Sequence, residues 1–137
     1  MQDLIIEKST GTIDDSPKVY FLSEKGECIL EGHSYMRNPV EFYEHLYDWL
    51  QDYFNYNTKL KFIFKLTYFN TSSNKMILDL LNILKEYKNN GEEITIKWHY
   101  DSLDENLEED IHELIEIVEI DIKLIDTDDM YELELGI

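Results

Sequence analysis

The sequence has few of the features that mark secreted or membrane-embedded proteins. Its single cysteine, Cys28, excludes an internal disulfide framework. Its apolar runs are far shorter than the roughly 20 residues that a membrane-spanning helix needs. The first residues, MQDLIIEKSTGT, lack the basic segment that begins a secretory signal. We therefore expect a cytoplasmic protein with one domain over residues 1–137.

Positive charge is also scarce. Twelve Lys and Arg residues stand against thirty Asp and Glu residues, which gives a formal net charge of −18. Because binding to a phosphate backbone requires clustered basic side chains, we expect neither nucleic acid nor an anionic membrane as a partner. The acidic excess either steers the protein toward a basic partner protein or only keeps it soluble, and the sequence leaves both interpretations open.

Catalytic and metal-binding motifs are missing as well. The chain has no GxSxG motif, no glycine-rich phosphate loop and no HExxH motif, and its four histidines are scattered. Asp126, Asp128 and Asp129 form an acidic group without the spacing and the glycine of a calcium loop. Cys28 falls in a predicted strand, where it is most simply a small apolar side chain. We therefore predict that the protein is not an enzyme and uses no cofactor or metal.

What the sequence does contain is a regular alternation of strand and helix patterns. A short leader can form a strand over Leu4 to Glu7, and a hairpin follows with strands at Val19–Leu22 and Cys28–Leu30. The remaining strand patterns cover Lys59–Phe69, 92–100, 120–126 and 130–136, and the helix patterns cover 39–54, Ser72–Tyr87 and 102–118. This order predicts βαβ crossovers in one α/β domain, with a mixed, mainly parallel sheet and about three helices.

Several residues sharpen these predictions. Asn38 can cap the first helix, with Pro39 at its first position and Glu41 completing a capping box. The unbroken apolar run at residues 62–64 is typical of a central strand that is covered on both faces.

Trp98, His99 and Tyr100 end a predicted strand, at the edge where α/β proteins usually place their sites. These side chains either close the end of the sheet as an aromatic plug or line a pocket. A pocket there would make the protein a small-molecule or lipid carrier, which is the alternative to a signalling role. An enzyme built from scattered His and carboxylate residues is the least favoured class.

The stretch FNTSSNKM, residues 69–76, places five small polar residues between an aromatic strand and an apolar helix. Asn, Thr and Ser are the usual helix caps, so capping alone can explain residues 70–74. The same junction also favours an anion, because unpaired backbone N–H groups and the positive end of the helix dipole meet there. A hydroxyl at this junction is therefore also a candidate phosphate acceptor.

Four segments together resemble the SiaC family of bacterial regulatory phosphoproteins. Besides the junction at Tyr68–Ser73, they are STGTIDDSPKVYF, ILEGHSYMRNPVEFY and IKWHYD, in the order that the family has them. This resemblance spans about residues 9 to 101, and it implies an architecture similar to the STAS-type anti-sigma-factor antagonists. Two departures are Met36, where the family usually has Pro after Ser-Tyr, and Ser73, where STAS proteins have Gly.

The resemblance implies a phosphorylation switch. Asn70 stands where STAS proteins carry an Asp, so the following Thr71 is implied as the phosphoacceptor, with Ser72 left open as a further site. The implied partners are a serine/threonine kinase, a PP2C-type phosphatase and a diguanylate cyclase, which makes cyclic di-GMP and would bind the unmodified form. The residues that we expect to contact a partner or support the site are Asn70, Ser72, Ser73, Ser34, Tyr35, Trp98, His99 and Tyr100.

Overall fold

The computed structural model describes residues 1–7 and 16–127. Its elements are β1 (Leu4–Ile6), β2 (Lys18–Leu22), β3 (Glu27–Ser34), α1 (Val40–Phe54), β4 (Lys59–Phe69), α2 (Thr71–Asn89), β5 (Glu93–Tyr100), α3 (Glu105–Val118) and β6 (Lys123–Asp126). The strand predicted over 130–136 lies outside the described residues, as do Asp128, Asp129 and residues 9–15 of the first family-like segment. No helix in the described ranges is long and apolar enough to cross a membrane.

The six strands stand in the sheet in the order in which they occur along the chain. Strands β1, β2 and β3 pair antiparallel, whereas β3, β4, β5 and β6 pair parallel. Each parallel connection contains one helix and moves one strand in the same direction, so right-handed crossovers place all three helices on one face. The predicted single α/β domain with a mixed, mainly parallel sheet is confirmed.

The core lies between the sheet and this one layer of helices. Strand β4 contributes five buried side chains to it: Leu60, Phe62, Phe64, Leu66 and Phe69. The prediction that β4 is covered on both faces is wrong. On its other face only Ile63 is buried, and the lysines at 59, 61 and 65 are partly or fully exposed. The apolar run had suggested helices on both sides, but the crossover geometry puts none on this side.

The helix starts differ from the prediction by one to three residues. Helix α1 begins at Val40, and Pro39 is its N-cap, because the Pro39 carbonyl accepts the first helical bond from the Tyr43 N–H at 3.0 Å. Asn38 lies outside the helix, where its Oδ1 accepts from the Val40 N–H at 3.4 Å. Helix α3 begins at Glu105 because Asp104 caps it, accepting from the Leu107 N–H at 3.1 Å.

A register shift near the ends of β3 and β4 decides which of their last side chains point outward. Gly32 pairs with Leu66, but His33 pairs with Tyr68, so β4 has one extra residue. Gly32 has φ +100°, a conformation that favours glycine. Because an extra residue reverses the alternation of a strand, Phe69 is buried and Tyr68 is exposed.

Candidate functional site

The polar junction at the end of β4 is a tightly bonded helix start. Asn70 is the N-cap of α2, and its Oδ1 accepts from the Ser73 N–H at 3.0 Å. Its backbone carbonyl accepts the first helical bond from the Asn74 N–H at 2.8 Å. Helix α2 therefore begins at Thr71, one residue earlier than the apolar pattern predicted.

The same junction is fastened to the loop between β3 and α1. Asn70 Nδ2 donates to the Met36 carbonyl at 3.0 Å, and the Asn70 N–H donates to the Ser34 carbonyl at 3.0 Å. Ser72 Oγ lies 2.8 Å from the Met36 carbonyl and 3.2 Å from Asn70 Oδ1, so its single proton lies between two acceptors. The two neighbouring crossover loops are thus joined at one edge of the sheet.

Below this surface, three buried hydroxyl groups form a chain from α2 to α1. The Ser34 hydroxyl donates to Ser73 Oγ at 2.8 Å, and the Tyr43 hydroxyl lies 2.7 Å from Ser34 Oγ. All three side chains are fully buried. Burial raises the pKa of Tyr43 well above its usual range and outweighs the opposing effect of the hydrogen bond with Ser34. Ser34 and Ser73, both among the site residues predicted from sequence, therefore lie in a buried hydrogen-bonded chain beneath the junction.

Replacing Ser34 by Ala is expected to lower the free energy of unfolding by about 1–3 kcal/mol, because it leaves buried hydroxyl groups without their partner. Urea denaturation measures this change. Ser102→Ala, in the loop before α3, is the control and is expected to stay within about 0.5 kcal/mol of the parent. An equally small change in Ser34→Ala would show that the hydroxyl chain adds nothing to stability.

Thr71 differs from its two serine neighbours. Its side chain is exposed at the first position of α2, whereas Ser72 is half-buried and bonded and Ser73 is fully buried. A phosphate added at Thr71 would lie at the positive end of the helix dipole. Of the three successive hydroxyl groups, Thr71 is the one that a second protein can reach without breaking the helix start.

Helix α3 brings carboxylates to the same place. A shallow groove of about 210 Å³ is lined by Phe69, Asn70, Thr71, Asn74, Asp110 and Glu113. The pKa of Asp110 is raised by partial burial and by the neighbouring charges of Glu109 and Asp104. Asp110 and Glu113 could not be predicted from the sequence, because α3 lies about forty residues further along the chain and no local pattern shows which helix packs beside α2.

An exposed aromatic pair lies next to the junction, with one ring directly after the end of β3 and one near the end of β4. Tyr35 and Tyr68 are 54% and 48% exposed, with ring centroids 6.0 Å apart. Tyr35 was predicted from sequence, but Tyr68 was not, because its exposure depends on the register shift in β4. Gly32, which lies inside the observed β3, is the sequence signal that could have indicated such a shift.

The model of the SiaC family regulatory phosphoproteins matches residues 8–127. The chain belongs to the SiaC family. It is also 30% identical, over 110 residues, to an uncharacterized protein of Pseudomonas aeruginosa strain UCBPP-PA14, and that match covers 80% of this chain and 84% of the relative.

Solved structures of SiaC from Pseudomonas aeruginosa have the same fold as this SiaC-family chain. The apo-SiaC crystal structure superposes with a TM-score of 0.78 and 28% identity, covering 91% of this chain and 99% of that one. A second structure shows the diguanylate cyclase SiaD in complex with its activator SiaC. Its match to this chain has a TM-score of 0.79 and 27% identity, and covers 90% of this chain and 99% of the other.

The strand-end residues of this SiaC-family chain, Trp98, His99 and Tyr100, are separated by the pleat of β5. Trp98 is fully buried and stacks on Phe64 at a centroid distance of 4.5 Å, so it has no surface to offer a ligand. Its ring also lies 5.9 Å from that of Phe69, the residue directly before the junction. His99 and Tyr100 are half-buried on opposite sides of the strand.

Asp126, the described member of the acidic group, and Cys28 both have structural surroundings. Asp126 Oδ1 accepts from the Ser102 N–H at 3.4 Å, which ties β6 to the loop after β5. In residues 1–7 and 16–127 no group of three or more His, Cys, Asp or Glu side chains is placed to hold a metal ion. Cys28 is buried in β3, and burial raises the pKa of its thiol. Neither feature adds chemistry to the site.

Proposed function

We propose that this chain is a non-catalytic signalling protein that is switched by reversible phosphorylation of Thr71. In this proposal a serine/threonine kinase adds the phosphate and a PP2C-type phosphatase removes it. The unphosphorylated form binds and regulates a diguanylate cyclase. The observation that carries the proposal is the exposed Thr71 hydroxyl at the start of α2, in a chain of the SiaC regulatory phosphoprotein family.

The choice of Thr71 over its neighbours rests on accessibility. A kinase must bring the acceptor hydroxyl to the γ-phosphate of ATP, and the transfer requires close positioning of both groups. Ser73 Oγ is fully buried in the hydroxyl chain, and Ser72 Oγ is held at the Met36 carbonyl. Modification of either would break bonds that hold the helix start, whereas modification of Thr71 would leave those bonds in place.

The charges around Thr71 favour a switch that acts on binding and not on folding. A phosphate adds a charge of about −1.5 to −2. The N-terminus of α2 offers some compensation, but the carboxylates of Asp110 and Glu113 line the same groove and oppose it. The phosphate would therefore remain a strong, poorly compensated charge at the surface, and a partner covering this groove would have to bury it.

The exposed pair Tyr35 and Tyr68 supports a protein contact beside the acceptor. Tyrosines are enriched at protein interfaces because they offer a large contact area with few rotatable bonds. The pair borders the junction that holds Thr71, so a partner that buries both rings also approaches the acceptor. The crystal structure of SiaD with its activator SiaC supports a diguanylate cyclase as the class of partner.

Incubation with ATP and a serine/threonine kinase from the same genome tests the proposal. Mass spectrometry of the purified protein is expected to find one phosphate, located on Thr71. Thr71→Ala is expected to abolish the modification, and a PP2C-type phosphatase is expected to remove it from the parent.

Ser72→Ala is the matched control, because it changes the adjacent hydroxyl and leaves Thr71 in place. It is expected to keep full phosphorylation. Phosphate found on Ser72 or elsewhere, or continued labelling of a folded Thr71→Ala protein, would overturn the assignment and leave the polar junction as a helix cap.

A further inference from the structure

The open face of the sheet is basic, although the chain as a whole is strongly acidic. Six of the twelve Lys and Arg residues belong to strands and alternate with the side chains that enter the core: Lys18, Lys59, Lys61, Lys65, Lys97 and Lys123. All three helices lie on the opposite face. Half of the positive charge is therefore gathered on a surface that the helices leave open.

Four of these lysines surround one point, and we call them the lysine face: Lys61, Lys65, Lys97 and Lys123. In the sheet, Lys97 on β5 pairs in register with Lys123 on β6 and with Ile63 on β4. Lys61 and Lys65 lie two residues before and two residues after Ile63 on β4. These lysines repel one another, and the nearby charge of Lys61 is the main cause that lowers the pKa of Lys97. His99 lies beside the group, and burial together with Lys65, Lys97 and Lys61 lowers its pKa.

Within residues 1–7 and 16–127, the acidic side chains that pair in register with this group lie on its β3 side. Glu27 and Glu31 on β3 pair in register with Lys61 and Lys65. Glu93 lies 3.9 Å from Lys59, near the start of both strands. Lys97 and Lys123 have each other as direct neighbours, so the β5–β6 half of the lysine face carries the less compensated charge.

At the end of the sheet where β4 begins, this surface continues into a cleft of about 640 Å³. Its lining includes the lysines at 25, 59, 61 and 97, together with Tyr53 and Tyr56. Glu24 and Glu27 also line it. The cleft lies at the start of β4, at the opposite end of that strand from Thr71. A segment bound here would not overlap the phosphorylation site.

We propose that the lysine face is a docking surface for an acidic segment of a partner protein. Carboxylates of such a segment would lie over Lys97 and Lys123, and an adjoining side chain would enter the cleft beside Tyr53 and Tyr56. Charge complementarity supports this occupant: it relieves the repulsion among the lysines, and opposite potentials guide association. A nucleic acid fits less well, because its long phosphate backbone would also meet the thirty acidic residues of the chain.

Fluorescently labelled poly-L-glutamate is the probe that tests this surface, with binding followed by fluorescence anisotropy at low ionic strength. The full-length protein is expected to bind the probe despite its own negative charge. Lys97→Glu/Lys123→Glu is expected to weaken binding by about tenfold or more. Lys75→Glu/Lys88→Glu on α2 makes the same change in net charge away from the lysine face and is expected to weaken it much less.

Four results would overturn the proposal. The first is absence of binding by the parent protein, and the second is an equal loss of affinity in both double variants. The third is equal binding of a duplex DNA of matched charge, which would indicate a general polyanion site. The fourth is binding that appears only in the full-length Glu132→Gln/Glu134→Gln variant, which would assign the lysine face to the chain's own acidic C-terminal residues. Circular dichroism verifies that each variant is folded, and Thr71 phosphorylation, measured separately, does not depend on any of these outcomes.

Discussion

Thr71→Glu is expected to weaken binding to the cognate diguanylate cyclase by about a hundredfold. The substitution places a carboxylate at the exposed first residue of α2, in the groove that Asp110 and Glu113 also line. A partner covering this surface must bury the new charge without a matching cation. Such a cost reaches several kcal/mol, and about 2.8 kcal/mol already corresponds to a hundredfold change in Kd. Isothermal titration calorimetry with the purified cyclase measures the effect.

Two controls separate charge from size and from general electrostatics. Thr71→Gln has the shape of the glutamate without its charge and is expected to lose much less affinity. Gln51→Glu adds the same charge at an exposed position in the second half of α1, away from both Thr71 and the lysine face, and is expected to bind the cyclase nearly as the parent does. A folded Thr71→Glu protein with parental affinity would contradict a switch at this position.

Trp98→Ala is expected to lower the free energy of unfolding by about 3–5 kcal/mol, the usual cost of removing a large aromatic side chain from a core. Trp98 is fully buried, stacks on Phe64 and lies against Phe69. Its Nε1 donates to the Leu66 carbonyl at 3.4 Å, so the change also removes a buried hydrogen bond. Since a domain has about 5–15 kcal/mol of stability in total, urea denaturation will show a large shift.

Tyr56→Ala is the matched control for an aromatic deletion, because Tyr56 is 81% exposed. It is expected to change stability by no more than about 0.5 kcal/mol. Trp98→Phe should fall between the two. If Trp98→Ala kept full stability but abolished binding of a small molecule or lipid, the carrier function would be favoured over the signalling function.

Local sequence patterns predicted where the strands and helices lie better than they predicted what each element packs against. In β5, Ile94, Ile96 and Trp98 alternate with polar residues in the sequence, and all three are buried. Strand β3 extends to Ser34, four residues beyond the predicted Leu30, because main-chain pairing with β4 continues through polar side chains. The one-sided helix layer could not be read from the apolar run in β4, because it depends on the order of strands in the sheet.

The same holds for the candidate site, whose position the sequence predicted but whose exposed and buried side chains it did not. The sequence placed Asn70 and Thr71 at the junction of β4 and α2, since caps and strand ends leave local signals. It could not separate the exposed Thr71 from the bonded Ser72 and the buried Ser73. That distinction depends on contacts with residues nearly forty positions earlier in the chain.

The hydrogen bonds at Met36 bear on how this protein family can diverge. Asn70 and Ser72 hold the β3–α1 loop through the backbone carbonyl of residue 36, and every amino acid carries that group, including proline. The attachment of the acceptor helix therefore does not constrain the side chain at this position. Evolution can exchange Pro for Met here and reshape the surface next to Thr71 for a different partner, while the geometry of the helix start around Thr71 is inherited unchanged.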